Sequence, residues 1–518
     1  MQAKSGRRRH FHLPPRAIAP ILAAAMRVLL IRHPYRFVEG SVATETELPI
    51  GLVHLASALE QAGHSVRIYD AAVRYDLAAM DAASAAGRDV IIGDSWDRFA
   101  AAVSGEWDLV GISNMFYTQM PMALEAARVV RRVLPRTPIV VGGPPATVRP
   151  EDYLAEPAVD YVLRGEGELA IVGLVAALAE GRPIDDLPSL SFRKDGAVRS
   201  NPLVECPQDL DVLPMPAYHL LDMEEQMVAV RRGRNGWRLA PRHVVPVVTS
   251  RGCPFKCNFC SIHLHMGRKW RTHSVEYVLR HVRHIITQLG HRHVDFMDDN
   301  MGLDPRRLEA LLDGFLAMKR EGLEFTWRTP TGMRTDRLTR DILRKARDAG
   351  CVAISLAVES GSQRVLKDVM HKQLDLDKVV EVAGWCREVG IKARAGYIMG
   401  LPGETFEDMD ATIRFATMLK RRFGIRGHLA TATPFYGTEL YETCARSGYL
   451  ALPMTPDNVA RGVQGRSMIR TPDFTPEDLD RMRRRFNRQG SWPRYAIRMI
   501  GRAVRRAVKG RRESDDED

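Results

Sequence analysis

The chain has 518 residues, 45% of them hydrophobic and 27% charged, the composition of an ordinary globular protein of roughly three domains. Its seven cysteines, three of them crowded into positions 253–260, exclude a secreted disulfide scaffold. The longest apolar stretch, Ala17 to Ile31, is broken by Pro20 and Arg27, short of the roughly 18 residues a membrane-spanning helix needs. The net charge of +12 sits at the ends, in five basic residues before position 17 and thirteen basic against five acidic ones after position 480. The body between is nearly neutral, so the total implies no nucleic-acid groove and no nucleic-acid partner.

Arginines followed by the apolar run Ala17–Ala25 have the look of a signal peptide. Met26-Arg27-Val28-Leu29-Leu30-Ile31, however, reads as a first strand opening on a methionine. Met26 is therefore expected to be the natural start, with residues 1–25 an upstream extension or disordered tail.

Residues 26–190 repeat an apolar strand followed by an amphipathic helix. The strands are expected at Arg27–Ile31, Ser65–Tyr69, Leu109–Ser113, Ile139–Val141 and Tyr161–Leu163, with helices such as Gly51–Ala62 and Met120–Val133 between them. This is the pattern of a doubly wound, Rossmann-like α/β domain whose ligand lies beyond the carboxyl ends of the strands. Residues 191–242, with five prolines, read as a linker with some structure of its own. A second βα series over 243–450 places strands at Val244–Thr249, His293–Met297, Glu324–Arg328, Val352–Val358, Lys392–Met399 and Gly427–Thr433. Six βα units make a partial (β/α)6 barrel of the TIM type, with its chemistry on the loops after the strands. Residues 451–518 are expected as a helical, basic extension ending in the acidic tail Glu513–Asp518.

After the first barrel strand stands Arg251-Gly252-Cys253-Pro254-Phe255-Lys256-Cys257-Asn258-Phe259-Cys260. Three thiolates on one loop suit three corners of a cubane [4Fe-4S] cluster and leave its fourth iron open. The alternative is a structural zinc site with His263 as fourth ligand, but a structural zinc has no reason to sit on a catalytic rim. Here the sequence resembles the radical S-adenosylmethionine superfamily, whose cluster signature Cys253, Cys257 and Cys260 match. The resemblance implies a [4Fe-4S] cluster that cleaves S-adenosylmethionine to a 5′-deoxyadenosyl radical, and an external electron donor such as flavodoxin or ferredoxin. It implies that Phe259 packs near the adenine, that Asp298 or Asp299 meets the methionine amino group, and that Glu359 and Ser360 contact ribose or carboxylate. Gly396, Ile398 and Gly400 belong to its adenine-binding backbone segment. Strand alternation turns only one of Asp298 and Asp299 into the barrel, and the sequence leaves open which. Arg328 and Arg334 are carboxylate binders or members of intra-barrel salt bridges.

The domain order is similar to the cobalamin-binding branch of that superfamily. Ser113-Asn114-Met115 and Gly142-Gly143-Pro144-Pro145-Ala146-Thr147 carry this likeness, which implies that Ser113, Met115, Gly142, Gly143 and Thr147 bind cobalamin. No Asp-x-His-x-x-Gly occurs in the chain, so no histidine of that motif ligates the cobalt. His33, near where the motif would fall, reads as a loop histidine with a local hydrogen bond; a degenerate domain without corrinoid stays open.

Near the C-terminus, Ile497, Ile500, Val504 and Val508 form much of an apolar stripe among arginines. A helix packed on the barrel and a helix lying on an anionic membrane surface both fit. The expected location is cytoplasmic, or peripheral at the inner membrane surface. The expected activity is cobalamin-dependent C-methylation of an unactivated carbon on a small molecule or lipid. The alternatives are a radical cyclase or rearrangement enzyme of the same architecture and, in another class, a non-catalytic iron-sulfur or corrinoid sensor.

Overall fold

The computed structural model describes residues 24–38, 47–204, 206–233, 236–463 and 465–488. The expected extension before residue 24 and the basic C-terminal helix lie outside the described residues.

The first sheet comprises β1 (Arg27–Arg32), β2 (Ser65–Asp70), β3 (Leu109–Ser113), β4 (Ile139–Gly142), β5 (Tyr161–Leu163), β6 (Leu190–Lys194) and β7 (Ala197–Ser200). They are ordered β2-β1-β3-β4-β5-β6-β7. The first five are parallel, and β6 and β7 add an antiparallel edge. Both faces of β1 are covered, because alternate side chains point to opposite sides: Val28 and Leu30 enter one apolar cluster, Leu29 and Ile31 the other. Helices Ile50–Gln61 and Gly167–Ala179 close the first face; Trp96–Val103 and Met120–Val133 close the second. The strand order reverses between β1 and β3, so the crevice for a ligand opens there.

Part of the stretch expected as a linker belongs to this sheet. Leu190 and Phe192 are buried, and that apolar alternation lets β6 pair with β5 as an edge strand. Further on, Val228–Gly233 and Gly236–Pro241 form a separate hairpin.

The second sheet comprises β8 (Val244–Val247), β9 (His293–Phe296), β10 (Thr326–Met333), β11 (Cys351–Glu359), β12 (Lys392–Met399) and β13 (Arg426–Thr431). All are parallel and ordered as in the chain, which makes the expected six-stranded partial barrel. Ile354, Leu356 and Val358 on β11 and Ala395, Tyr397 and Met399 on β12 are buried in the apolar cluster shared with the surrounding helices. The intervening residues therefore line the lumen. β10 runs five residues past its expected end at Arg328, because a register shift between Thr329 and Met333 accommodates Pro330 within the strand. Among the described residues no helix is long and apolar enough to cross a membrane.

Candidate functional site at the junction of the two sheets

The carboxyl ends of the two sheets meet. Glu166 and Glu168, at the start of the helix after β5, receive Arg251, which directly precedes the cysteine loop after β8: Nη1 donates to Glu166 at 2.9 Å and Nη2 to Glu168 at 2.6 Å. Arg271 Nη1 donates to Glu166 at 3.1 Å, and all four side chains are buried. Burial alone would raise the Glu168 carboxyl, yet the charge and hydrogen bond of Arg251 pull it down to about 2. A second contact joins helix Pro144–Val148, after β4, to the cysteine-loop side: a Cβ on Gly437 would lie 2.9 Å from Leu264 and 3.3 Å from Val148. These contacts were invisible to motif reading, since the partners lie 83 and 85 residues apart in sequence.

Cys253, Cys257 and Cys260 are unbridged and half-buried on one loop. Gly252 turns the chain into that loop with φ 83°, and a Cβ there would lie 2.4 Å from the Lys269 carbonyl oxygen, so glycine is required. Burial raises the Cys257 thiol, and burial with the other two thiols pushes Cys260 up to about 11. Thiols so placed ionise only for a cation, which the iron of a cluster is. Asn300 Nδ2 donates to Cys253 Sγ at 3.0 Å. Asn258 holds the loop from inside: its N–H donates to Met370 O at 3.2 Å, and its carbonyl accepts from Leu440 N at 3.0 Å. Neither asparagine stood out in the sequence as a site residue. Among the described residues no group of three or more His, Cys, Asp or Glu side chains is arranged around a single metal-ion position. His263, the alternative zinc ligand, lies against the Cys260 backbone. Three unbridged thiols of one loop, set beside a hydrogen-bond donor, fit a three-cysteine cluster.

The structure separates the two aspartates after β9. Asp298 is buried and accepts from Thr249 N at 3.1 Å, Thr249 Oγ1 at 2.7 Å and Ser250 Oγ at 2.5 Å. Its carboxylate staples β9 to the end of β8 and has little capacity left for a ligand. Asp299 is half-buried near Cys260, and burial with the Asp298 charge pushes it up to about 6. Glu359 ends β11 at φ 69°, a left-handed conformation that costs a non-glycine residue about 1–3 kcal/mol and persists where the surroundings enforce it. The enforcing partner is buried Lys372, whose Nζ donates to Glu359 at 3.1 Å and to the Ala357 carbonyl at 2.5 Å. Lys372 is a further site residue that the sequence did not flag.

Two other residues expected at the nucleoside are occupied by the protein itself. Ser360 is buried against Thr412 at 3.1 Å and accepts from Ser362 N at 3.1 Å. The Gly400 N–H donates to Glu404 at 2.6 Å, and a Cβ on Gly400 would strike Leu479. Asp298 is bonded at the end of β8, and Ser360 and Gly400 are bonded within the turns that meet the outer helices. Gly396 and Ile398 do face the lumen, Gly396 with nothing within 4 Å of a Cβ position. Phe259 is half-buried against the core. Arg328 pairs with Asp295 at 2.7 and 2.6 Å and Arg334 with Asp336 at 2.9 Å while lying over Phe255; both take the salt-bridge alternative.

At the β1/β3 crevice, Ser113 is half-buried and Met115 and Phe116 are 42% and 57% exposed, an apolar surface suited to a corrin face. Gly143 has φ 120°, and a Cβ there would lie 2.0 Å from the Asn114 carbonyl oxygen, so the loops after β3 and β4 close only over glycine. Gly142 is half-buried, its N-terminal neighbours paired into β4. The Thr147 hydroxyl donates to Gly143 O at 3.0 Å and accepts from Gly165 N at 2.9 Å, which ties the loop after β4 to the loop after β5. His33 is fully buried; Nδ1 donates to Pro34 O at 2.8 Å and Nε2 lies 3.4 Å from Asn114. Burial lowers its pKa to about 4. The apolar platform and glycine-closed rim fit a corrin held without a histidine ligand.

Fold and site together define a two-cofactor enzyme with a corrin-binding sheet facing a cluster-bearing barrel. The B12 binding domain family matches residues 39–175 and the Radical SAM superfamily matches residues 247–416. The chain is 30% identical over 491 residues, 94% of its length and 98% of the relative's, to the uncharacterized methyltransferase PH0819 of Pyrococcus horikoshii. It is 27% identical, over 92% of each chain, to cytidylyl-2-hydroxyethylphosphonate methyltransferase of Streptomyces wedmorensis. The fold is shared with the radical S-adenosylmethionine methyltransferase TsrM of Kitasatospora setae, solved with cobalamin and a [4Fe-4S] cluster bound, at a TM-score of 0.65 and 15% identity over 90% of this chain and 89% of that one. The protein belongs to the cobalamin-binding radical S-adenosylmethionine enzymes, and its cofactors are a [4Fe-4S] cluster, S-adenosylmethionine and cobalamin.

Proposed function

We propose that this enzyme is a C-methyltransferase acting on an unactivated carbon of a small molecule, fed by a one-electron donor of the flavodoxin or ferredoxin kind. The observation that carries this is the clamp of Arg251 onto Glu166 and Glu168, which ties the corrin-binding sheet to the residue leading into the cluster loop and so supports a reaction shared by both cofactors. The names of the relatives over nearly the full chain support methyl transfer.

When bound, the cluster with S-adenosylmethionine supplies hydrogen abstraction from carbon, and cobalamin supplies the methyl group. The chain's own residues position and shield. Cys253, Cys257 and Cys260 hold three irons, with Asn300 donating to the first sulfur. Asp299, near Cys260, and Glu359, near Cys257 and fixed by Lys372, place carboxyl groups at the rim for a sulfonium and an ammonium. Gly396 and Ile398 give the nucleoside an unobstructed wall. Ser113, Met115, Phe116, Gly142 and Gly143 seat the corrin, and the contact between helix Pro144–Val148 and Leu264 helps exclude water.

The test uses anaerobically reconstituted protein, a reductant, methyl-labelled S-adenosylmethionine and a metabolite extract. Expected are 5′-deoxyadenosine and a labelled product heavier than its precursor by one methylene, both abolished by Cys257→Ala. A product lighter by hydrogen and unlabelled would establish the cyclase alternative, and undiminished 5′-deoxyadenosine in the variant would end the cluster assignment.

A further inference from the structure

Below the rim, the inner wall of the barrel is basic on its β12–β13 side. On β12, Ala395, Tyr397 and Met399 are buried outward, so Arg394, Gly396 and Ile398 face the lumen. On β13, Leu429 and Thr431 are buried, and a Cβ on Gly427 would strike Phe486 and Tyr397 on the outer side; Arg426, His428 and Ala430 therefore face in. The parallel register sets Arg394 beside Arg426 and Gly396 beside His428. All three basic side chains are exposed, and no carboxylate among the described residues pairs with any of them.

Of the acids at the ends and inner faces of β9 and β11, two are occupied and one is distant. Asp295 is taken by Arg328 and Glu359 by Lys372, while Asp299 stands at the rim near Cys260. Ala353 and Ser355 on the neighbouring strand, with Ala430, are small side chains that leave room in front of the basic groups, below the Gly396–Ile398 wall given to the nucleoside. Like charges on adjacent strands repel, and filling the lumen with hydrocarbon would strand them without water or a counter-ion.

We propose that Arg394, Arg426 and His428 form a subsite for an oxyanion of the substrate, a phosphate-like or carboxylate group. This rests on the methyl-transfer reading above and names its substrate class. His428 and Arg394 stand three and five residues before the ends of their strands, roughly 10 and 17 Å below the rim at strand rise. The carbon that reacts at the rim is thus separated from the anchoring anion by a spacer of that order, less the reach of the side chains. A wholly apolar isoprenoid does not satisfy this wall.

The experiment titrates full-length, reconstituted holoenzyme with inorganic pyrophosphate in a calorimeter. Wild type is expected to bind, and Arg394→Gln and Arg426→Gln each to weaken binding by about 10- to 100-fold, the loss for a charge-assisted contact. Arg394→Lys should retain most of the affinity. Cluster and corrin absorption and melting temperature serve as controls for folding. Equal binding by wild type and both glutamine variants, or no binding by wild type at millimolar pyrophosphate, overturns the subsite. Pyrophosphate binding that the variants lose, in an enzyme that labels no product, would keep the subsite and sink methyl transfer. A methylated product bearing no oxyanion would do the reverse.

Discussion

Burial without full pairing marks the residues whose protonation matters most. Glu404 is fully buried; one oxygen accepts from Gly400 and Leu401, the other has no hydrogen-bond partner among the described residues, and burial pushes its carboxyl up to about 8. Its folded pKa stands above the unfolded value of about 4.3. The stability it contributes is therefore fully present below that value and is lost as pH rises through 8. Glu404→Gln keeps an acceptor for both N–H groups and removes the titration. Its melting temperature should fall less than wild type between pH 5 and 9, and parallel curves from calorimetry would contradict the assignment. At His33 both ring nitrogens are engaged inside the protein and burial holds the ring neutral. With cobinamide, which carries no nucleotide base of its own, the cob(II) form of the holoenzyme should accordingly show no axial-nitrogen splitting by electron paramagnetic resonance; a nitrogen triplet there would mean that a histidine reaches the cobalt.

Among the elements, helix Phe406–Phe423 does more than cover the barrel. Thr405 and Asp408 form its capping box, and Asp408 also receives Ser362 Oγ at 2.6 Å and the Arg364 guanidinium. Although burial opposes the charge, these hydrogen bonds hold the Asp408 carboxyl well below the usual range. The turn after β11, which carries Glu359 in its left-handed conformation, is thus anchored to the start of the helix through Ser362 and through Gly361 N, which donates to Thr412 at 3.0 Å. Asp408→Ala removes a cap and leaves two donors unpaired, a cost of about 2–3 kcal/mol. It should lower the melting temperature and weaken S-adenosylmethionine binding together. A stability loss with unchanged affinity in equilibrium dialysis would show that the turn is held by other contacts. The hydroxyl-rich Glu359–Ser362 stretch looks in sequence like a ligand loop; its serines act as fasteners because the outer helix offers Thr412 and Asp408 to them.

For the molecule as a whole, the buried Arg251, Glu166, Glu168 and Arg271 cluster links the two units beside the apolar core they share. Removing one partner of such a cluster strands a buried charge and costs about 3–5 kcal/mol, whereas replacing both partners by apolar groups is often neutral. Arg251→Met should thus lower the unfolding temperature and uncouple the units, raising 5′-deoxyadenosine formed per methyl transferred. Arg251→Met with Glu168→Leu should recover much of the stability but not the coupling. If calorimetry and product ratios matched wild type in the single variant, the relative placement of the sheets would rest elsewhere.

The strands and helices, the six-stranded barrel and the cysteine loop were legible in the sequence, because apolar alternation, cap residues and a three-thiol spacing are local signals that tertiary context reinforces. β6 and the extension of β10 past Pro330 were not, since an edge strand and a bulge depend on the partner they pair with. Within the site, the resemblance gave Asp298 or Asp299, Glu359, Ser360 and Gly400 cofactor contacts at the rim, and the sequence carried no sign of their protein partners. Those partners are neighbours brought by folding: Thr249 and Ser250 consume Asp298, Thr412 consumes Ser360, and Glu404 consumes the Gly400 N–H. Only the tertiary structure could bring Lys372 to Glu359, Asn300 to Cys253 and Arg251 to Glu166 and Glu168. Hydrogen bonds and burial act across space, and these partners carry no mark in sequence that one is meant for the other.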